Sequence, residues 1–386
     1  MLQKVSNWFR SARILWGMYA LAAVLTAVQR LASGFNEQGY SGYENYRIFK
    51  FSWHYFITGQ NPYTPHPEVW DLYKYSPAFC VVMAPFHAMP DALGLPLWNL
   101  LNALPLLAAL LALPTFPVRT RYAMAWLVLP ELFISLQNAQ SNGLMAAALL
   151  WAYIAMERNQ PWKAAGWVMA GAFIKVFGIF AGIFALFYPK MWKKWLLALF
   201  VWGVGLAVFP AIGVGVPHLI QVYEWWKILL DSDHAASLGI SVAGWLKSWW
   251  GYSGDSLPVT LAGLCVLIGA ALLRFFRKKT ALPIVAAVLI WVVIFNHKAE
   301  SPTFIIAMCG AVIWYFGVSG RTIGATVLMA AAFVLSSVTP TDLFPRTWNR
   351  EWVQPYTLKA VPFILIWIWI ILFTLRHEQR TDLEIS

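Results

Sequence analysis

Long apolar runs recur along all 386 residues, separated by short polar interruptions. A helix needs ~20 apolar residues to cross a bilayer. On that measure the pattern predicts about twelve spans, over 13–32, 77–90, 95–113, 121–136, 143–157, 164–188, 194–216, 257–273, 281–296, 301–318, 321–338 and 357–375. Three of these, 77–90, 121–136 and 143–157, are short, which suits local thinning or a re-entrant course. The expected fold class is all-α, a polytopic transmembrane helical bundle forming one integral domain over 1–386. Two stretches stand apart as large loops. Residues 34–76 are polar, charged and aromatic, and residues 217–256 carry Trp225, Trp226, Trp245, Trp249 and Trp250. Indoles at this density mark a membrane interface, either as anchors or as a wall that guides an amphipathic substrate.

Composition fixes the class. Hydrophobic residues make up 60% of the chain and charged residues 12%, against about 25% charged in soluble domains. The net charge of +11 belongs to cytoplasmic loops and anionic headgroups, not to nucleic acid. One set of loops holds Lys4, Arg10 and Arg13, then Lys190, Lys193 and Lys194, then Arg274, Arg277, Lys278 and Lys279, then Arg321, then Arg376 and Arg380. The positive-inside rule places that set in the cytoplasm, with both termini, and places 34–76 and 217–256 outside. Arg119, Arg121, Arg158 and Lys163 fall on the outer side under this count; a re-entrant second segment would return the first two. The first segment follows basic residues like a signal peptide, but no convincing cleavage site follows it, so it reads as an uncleaved anchor in the cytoplasmic (inner) membrane. Cys80, Cys265 and Cys309 lie in apolar segments without metal spacing. No nucleotide-binding glycine pattern and no solenoid repeat stands out.

Within the first loop, Glu44 to Thr58 reads as an amphipathic helix. Ile48, Phe51, Tyr55 and Phe56 share one side, and Arg47, Lys50 and His54 follow spacings of three and four on another. Such a helix lies flat on a membrane, its basic face either in water or against a lipid phosphate. Gly59 and Pro62 end it. Asp71, Tyr73, Lys74 and Tyr75 then crowd the mouth of the next span, as interfacial anchors or as a site with a general base and a phosphate-binding cation. Glu131 and Lys175 fall inside expected spans, where a charge must be paired or face a wet cavity. They pair with each other, or Lys175 faces a ligand. His297, Lys298 and Glu300 interrupt the run between the ninth and tenth spans. Asp231, Asp233 and His234 match no standard metal spacing and read as a solvated loop.

The motifs resemble those of a known family. Tyr43-Glu44-Asn45-Tyr46, Gly59-Gln60-Asn61-Pro62-Tyr63, Tyr75-Ser76-Pro77 and Ala84-Pro85-Phe86 look like the opening of glycosyltransferase family 87. Gln140-Ser141-Asn142 resembles its Gly-Gln-x-Asn element, with Ala139 at the glycine position, and Ala172-Phe173-Ile174-Lys175 resembles its lysine-bearing helix. The family's acidic position falls on Gly42, which leaves Glu44 and Asp71 as rival carboxylates. The resemblance implies a GT-C-like fold and transfer of a sugar, mannose in this family, from a polyprenyl-phosphate-linked donor to a glycolipid or glycan acceptor on the outer face. In that role Asp71 or Glu44 is the base. The donor phosphate meets cations and polar groups among Arg47, Lys50, His54, Lys74, Tyr75, Lys175, His297 and Lys298. A metal cofactor is not required by the chemistry, because lysine or arginine can balance the leaving phosphate. The rival class is a flippase or transporter of lipid-linked sugars, which needs a polar path through the whole membrane.

Overall fold

The computed structural model describes residues 11–232 and 238–376. Lys4, Arg10, Asp233, His234 and Arg380 lie outside the described residues. The chain is helical, and among the described residues the only β-pairing is one bridge between Phe35 and Ser41. Four stretches are long and apolar enough to cross a membrane by themselves: Ala12–Ala32, Asp91–Ala112, Pro189–Val214 and Ser256–Phe276. We label the main helices α1 (Ala12–Ala32), α2 (Glu44–Ile57), α3 (Pro77–Val82), α4 (Ala84–His87), α5 (Asp91–Ala112), α6 (Val118–Gln137), α7 (Asn142–Glu157) and α8 (Pro161–Ile174). The second half holds α9 (Trp192–Val208), α10 (Val216–Ser232), α11 (Val242–Trp250), α12 (Ser256–Phe276), α13 (Leu282–Ile294), α14 (Phe304–Gly317), α15 (Ile323–Phe333) and α16 (Val361–Leu375).

The bundle has two chemically different ends. At one, Arg158 at the end of α7 donates to the carbonyl of Ala112 at the end of α5 (3.3 Å). Arg277 donates to the carbonyls of Thr374 and Leu375, and Trp192 packs on Phe275. At the other, Arg30 donates to the carbonyl of Gln137 (2.6 Å), Trp98 to that of Ala139 (2.8 Å), and Thr260 to that of Phe295 (2.9 Å). Helices α13 and α14 form the centre. Every residue of α13 is buried, as expected of a helix apolar on all sides. Helix α9 is the opposite case, with only Ala198 buried and Leu196, Leu197, Phe200 and Val201 exposed. An apolar helix exposed along its length belongs against lipid.

Two of the twelve expected spans do not run from end to end. The segment 77–90 is broken into α3 and α4; residues 77–87 rise roughly 16 Å as helix, about half of the ~30 Å hydrocarbon core. The segment 164–188 is a hairpin. Lys175 adopts an extended conformation (φ −139°, ψ 127°) that stops α8, and a 3-10 helix, Val176–Phe187, runs back alongside it. Gly178 lies backbone to backbone on Gly171, where an added Cβ would stand 2.3 Å from the Gly171 carbonyl carbon. Further down, Ala185 packs with Ala164 and Met156, and Tyr188 hydrogen-bonds Glu157. With these two changes, Arg119, Arg121, Arg158 and Lys163 move to the end that already holds Lys190, Lys193, Lys194, Arg274, Arg277, Lys278, Lys279 and Arg321. Lys175 sits at the hairpin tip, towards the other end.

A buried ion pair ties α6 to the segment that follows α15 and the one that precedes α16. Lys359 Nζ lies 3.0 Å from Glu131 Oε1, with side chains 5% and 0% exposed. It also donates to the hydroxyl and carbonyl of Ser301 (2.8 and 3.0 Å) and the carbonyl of Ser336 (3.0 Å), and Ser337 donates to Glu131 Oε2 (2.9 Å). Glu131 therefore pairs with Lys359 and not with Lys175. Removing one partner strands a buried charge, which costs about 3–5 kcal/mol. Glu131→Gln is expected to lose that much in reversible unfolding in mixed micelles, and Glu131→Gln with Lys359→Met to regain most of it. A single variant as stable as the parent would contradict this role.

Candidate active site at the loop end

Helix α2 forms where its periodicity predicts, and its basic face is engaged by partners within the protein. Glu44 Oε1 accepts from the backbone N–H and hydroxyl of Ser41 (both 2.7 Å) and from Arg47 (3.1 Å), so Glu44 organises the start of its own helix. Arg47 also lies over the rings of Phe35 and Phe51 (5.2 and 5.6 Å). Lys50 donates to Asp91 Oδ1 (2.7 Å) and to the carbonyl of Met89 (2.8 Å). Tyr43 donates to the other oxygen of Asp91 (3.1 Å); burial, then that carboxylate, push its hydroxyl up to about 12. His54 stacks on His87 (5.5 Å). Burial first, then the charges of His54 and Lys50, hold His87 below the ordinary histidine range. These contacts bolt α2 to the start of α5.

Asp71 and Lys74 stand at the open rim. Asp71 Oδ1 accepts its neighbour Leu72's N–H (2.7 Å), and Oδ2 lies 3.4 Å from Lys74 Nζ, the two side chains 48% and 35% exposed. The chain turns inward immediately afterwards. The carbonyl of Lys74 takes the indole N–H of Trp226 (3.4 Å), which seats α10 on the first loop. Tyr75 stacks on Phe79 (5.0 Å) and meets Phe49 edge-on (4.8 Å). Ser76 donates to the carbonyl of Phe173, next to the hairpin tip.

At that tip the polar groups converge. Lys175 Nζ donates to Asn142 Oδ1 (2.6 Å) and lies over the rings of Tyr75 and Phe177 (5.7 and 5.9 Å). Asn142 Nδ2 donates to Gln140 Oε1 (2.6 Å), and Gln140 Nε2 donates to Glu300 Oε2 (2.7 Å). The relay runs from the fully buried Asn142, through Gln140 at 8% exposure, to the exposed Glu300. Among the described residues no carboxylate lies within ion-pair distance of Lys175. The turn that carries Gln140 is held by Trp98 on the carbonyl of Ala139 and by Asn45 on that of Asn138 (2.9 Å). Ala139 has φ 50°, the left-handed region that favours glycine, so the glycine of the resembling motif has a backbone reason. His297 and Lys298 lie partly buried in the turn that ends at Glu300. That turn is pinned from two sides, by Ile240 N–H on the carbonyl of Ala299 (2.8 Å) and by Lys359 on Ser301.

The structure thus gathers Tyr75 and Lys175, with the turn of His297 and Lys298 beside them. It leaves Asp71 and Lys74 at the rim, and it fastens Glu44, Arg47, Lys50 and His54 into the scaffold of the first loop. Gln140, Asn142 and Glu300 were not among the expected site residues. The signal for the first two was the Gln-Ser-Asn spacing before a small-residue helix. Glu300 had only its place at the end of a polar interruption.

A helical bundle with long apolar helices exposed along their length describes an integral membrane protein. The chain belongs to glycosyltransferase family 87, whose sequence pattern matches residues 73–302, and it is a membrane glycosyltransferase. Tyr75, Gln140, Asn142, Lys175 and Glu300 all fall inside the matched region; Glu44 and Asp71 precede it. No curated protein matches the chain.

Proposed function

We propose that the chain transfers mannose from a polyprenyl-phosphate-linked donor to a glycolipid or glycan acceptor on the extracytoplasmic face of the cytoplasmic membrane, with inversion. The observation that carries this is Lys175, a cation at a hairpin tip whose hydrogen-bonded partner is a neutral amide. A lipid monophosphate supplies the missing counter-charge. The ten elements that connect the two ends (α1, α5, α6, α7, α9 and α12 to α16) are the crossings, and the arginine- and lysine-rich end faces the cytoplasm. The donor's tail lies in lipid between helices, with its phosphate at Lys175.

The acceptor hydroxyl oxygen attacks the anomeric carbon as the bond from that carbon to the phosphate oxygen breaks. The bonding pair leaves with the phosphate, giving a polyprenyl monophosphate, and the hydroxyl proton passes to a carboxylate. We assign that carboxylate as Asp71, four residues before Tyr75, because its oxygens are committed only to its own turn and to a long contact with Lys74. Glu44 has one oxygen occupied by three donors. Glu300 orients Gln140, which in turn holds Asn142 against Lys175.

A flippase needs a polar path between the two faces. The buried polar relay described here stops at one end, and α13 and α14 fill the centre with apolar side chains. Purified protein in liposomes, given polyprenyl-phosphate-mannose and an acceptor extract, is expected to form mannosylated product with the opposite anomeric configuration. Movement of the donor across the bilayer with no product would support the flippase instead.

A further inference from the structure

At the basic end, far from the relay, a cleft of about 210 Å³ opens between the last turn of α7 and the first turn of α8. Its walls are mostly apolar. The rings of Trp151 and Trp167 stack with centroids 6.2 Å apart and planes 21° apart, and the indole N–H of Trp151 donates to the carbonyl of Pro105 (3.2 Å). Ile154 lines the same wall. The rim is cationic. Arg158 lies 6.0 Å over the Trp151 ring and uses one N–H on the carbonyl of Ala112, which leaves further donors of its planar fork for a ligand. Lys163 and Gln160 complete the rim. Arg158 and Lys163 are exposed, and among the described residues neither pairs with a carboxylate. The adjacent Glu157 is taken by Tyr188.

We infer that this cleft binds an anionic phospholipid of the leaflet facing the basic end. The headgroup phosphate sits between Arg158 and Lys163, and the acyl chain lies along the two indoles. A guanidinium fork suits a phosphate, and cations at a cytoplasmic interface attract anionic headgroups. The stacked indoles choose a lipid over a free anion, because a soluble phosphate makes no use of an apolar wall. The site is for binding only and is independent of the transfer reaction at the other end.

Native mass spectrometry of the purified protein tests it, with phosphatidylglycerol and phosphatidylcholine as probes. Phosphatidylglycerol is expected to remain bound on the order of 10-fold more than phosphatidylcholine, and Arg158→Gln with Lys163→Gln to remove that preference. Lys193→Gln with Lys194→Gln, which removes the same charge elsewhere at this end, is expected to keep it. Inorganic phosphate at millimolar concentration is expected not to displace the lipid. An unchanged preference in the first double variant, an equal loss in both, or displacement by inorganic phosphate would each overturn the inference. Unfolding midpoints of both variants show whether a loss reflects the site or the fold.

Discussion

Lys175→Met is expected to lower the rate of sugar transfer by ~10²–10³-fold, the usual effect of removing one preorganised group that stabilises developing charge. The reasoning starts from the hairpin. The extended residue at 175 and the touching glycines at 171 and 178 bring a lysine from the middle of an apolar segment to the polar end. There it meets Asn142, Tyr75 and, two amides away, Glu300. Phosphate is a good leaving group only when its charge is balanced, and this cation lacks a direct carboxylate. The substitution also deprives Asn142 of a buried hydrogen bond, which costs about 1–3 kcal/mol, so the rate is compared at equal folded protein. Lys175→Arg, which keeps the charge but changes its shape, is expected to recover part of the rate. A Lys175→Met protein that turns over normally would move the phosphate site elsewhere.

Asp71→Asn is expected to cost turnover ~10²–10⁴-fold, because an amide keeps the shape of a base but does not accept the proton. With Asp71 48% exposed, its amide should leave stability unchanged within about 0.5 kcal/mol. Glu44→Gln behaves differently. Glu44 Oε1 holds three donors at the start of α2, so its loss should appear mainly as instability of the first loop. Glu300→Gln preserves an acceptor for Gln140 and is expected to cost less rate than Asp71→Asn. If Glu300→Gln or Glu44→Gln proves the slower enzyme at matched folding, the base is that residue and not Asp71.

What the sequence made legible was whatever depends on local pattern. The amphipathic period from Glu44 to Thr58 predicts α2 to within one residue, and the apolar runs predict the bundle. Hydropathy failed at 164–188 for a physical reason. It measures apolar length, and a hairpin of two apolar arms has the same length as one long span. The fold-back is encoded in one extended lysine and two small residues. The segment 77–90 misled in the same way, since it is broken at Met83, beside Pro85, into two short helices. The four cations on the wrong side were the visible sign of both errors. The relay was out of reach because it joins positions 33 and 160 residues apart, and no periodicity reports such a contact. The expected partner of Glu131 was wrong for the same reason, as Lys359 lies 228 residues away.

The most direct test is equilibrium binding of polyprenyl monophosphate, the leaving group, to purified protein. Wild type and Asp71→Asn are expected to bind it equally, because the base acts on the acceptor. Lys175→Met is expected to bind it at least about 10-fold more weakly, as loss of a charge-assisted hydrogen bond implies. Equal binding by Lys175→Met and wild type would contradict a donor phosphate held at the hairpin tip.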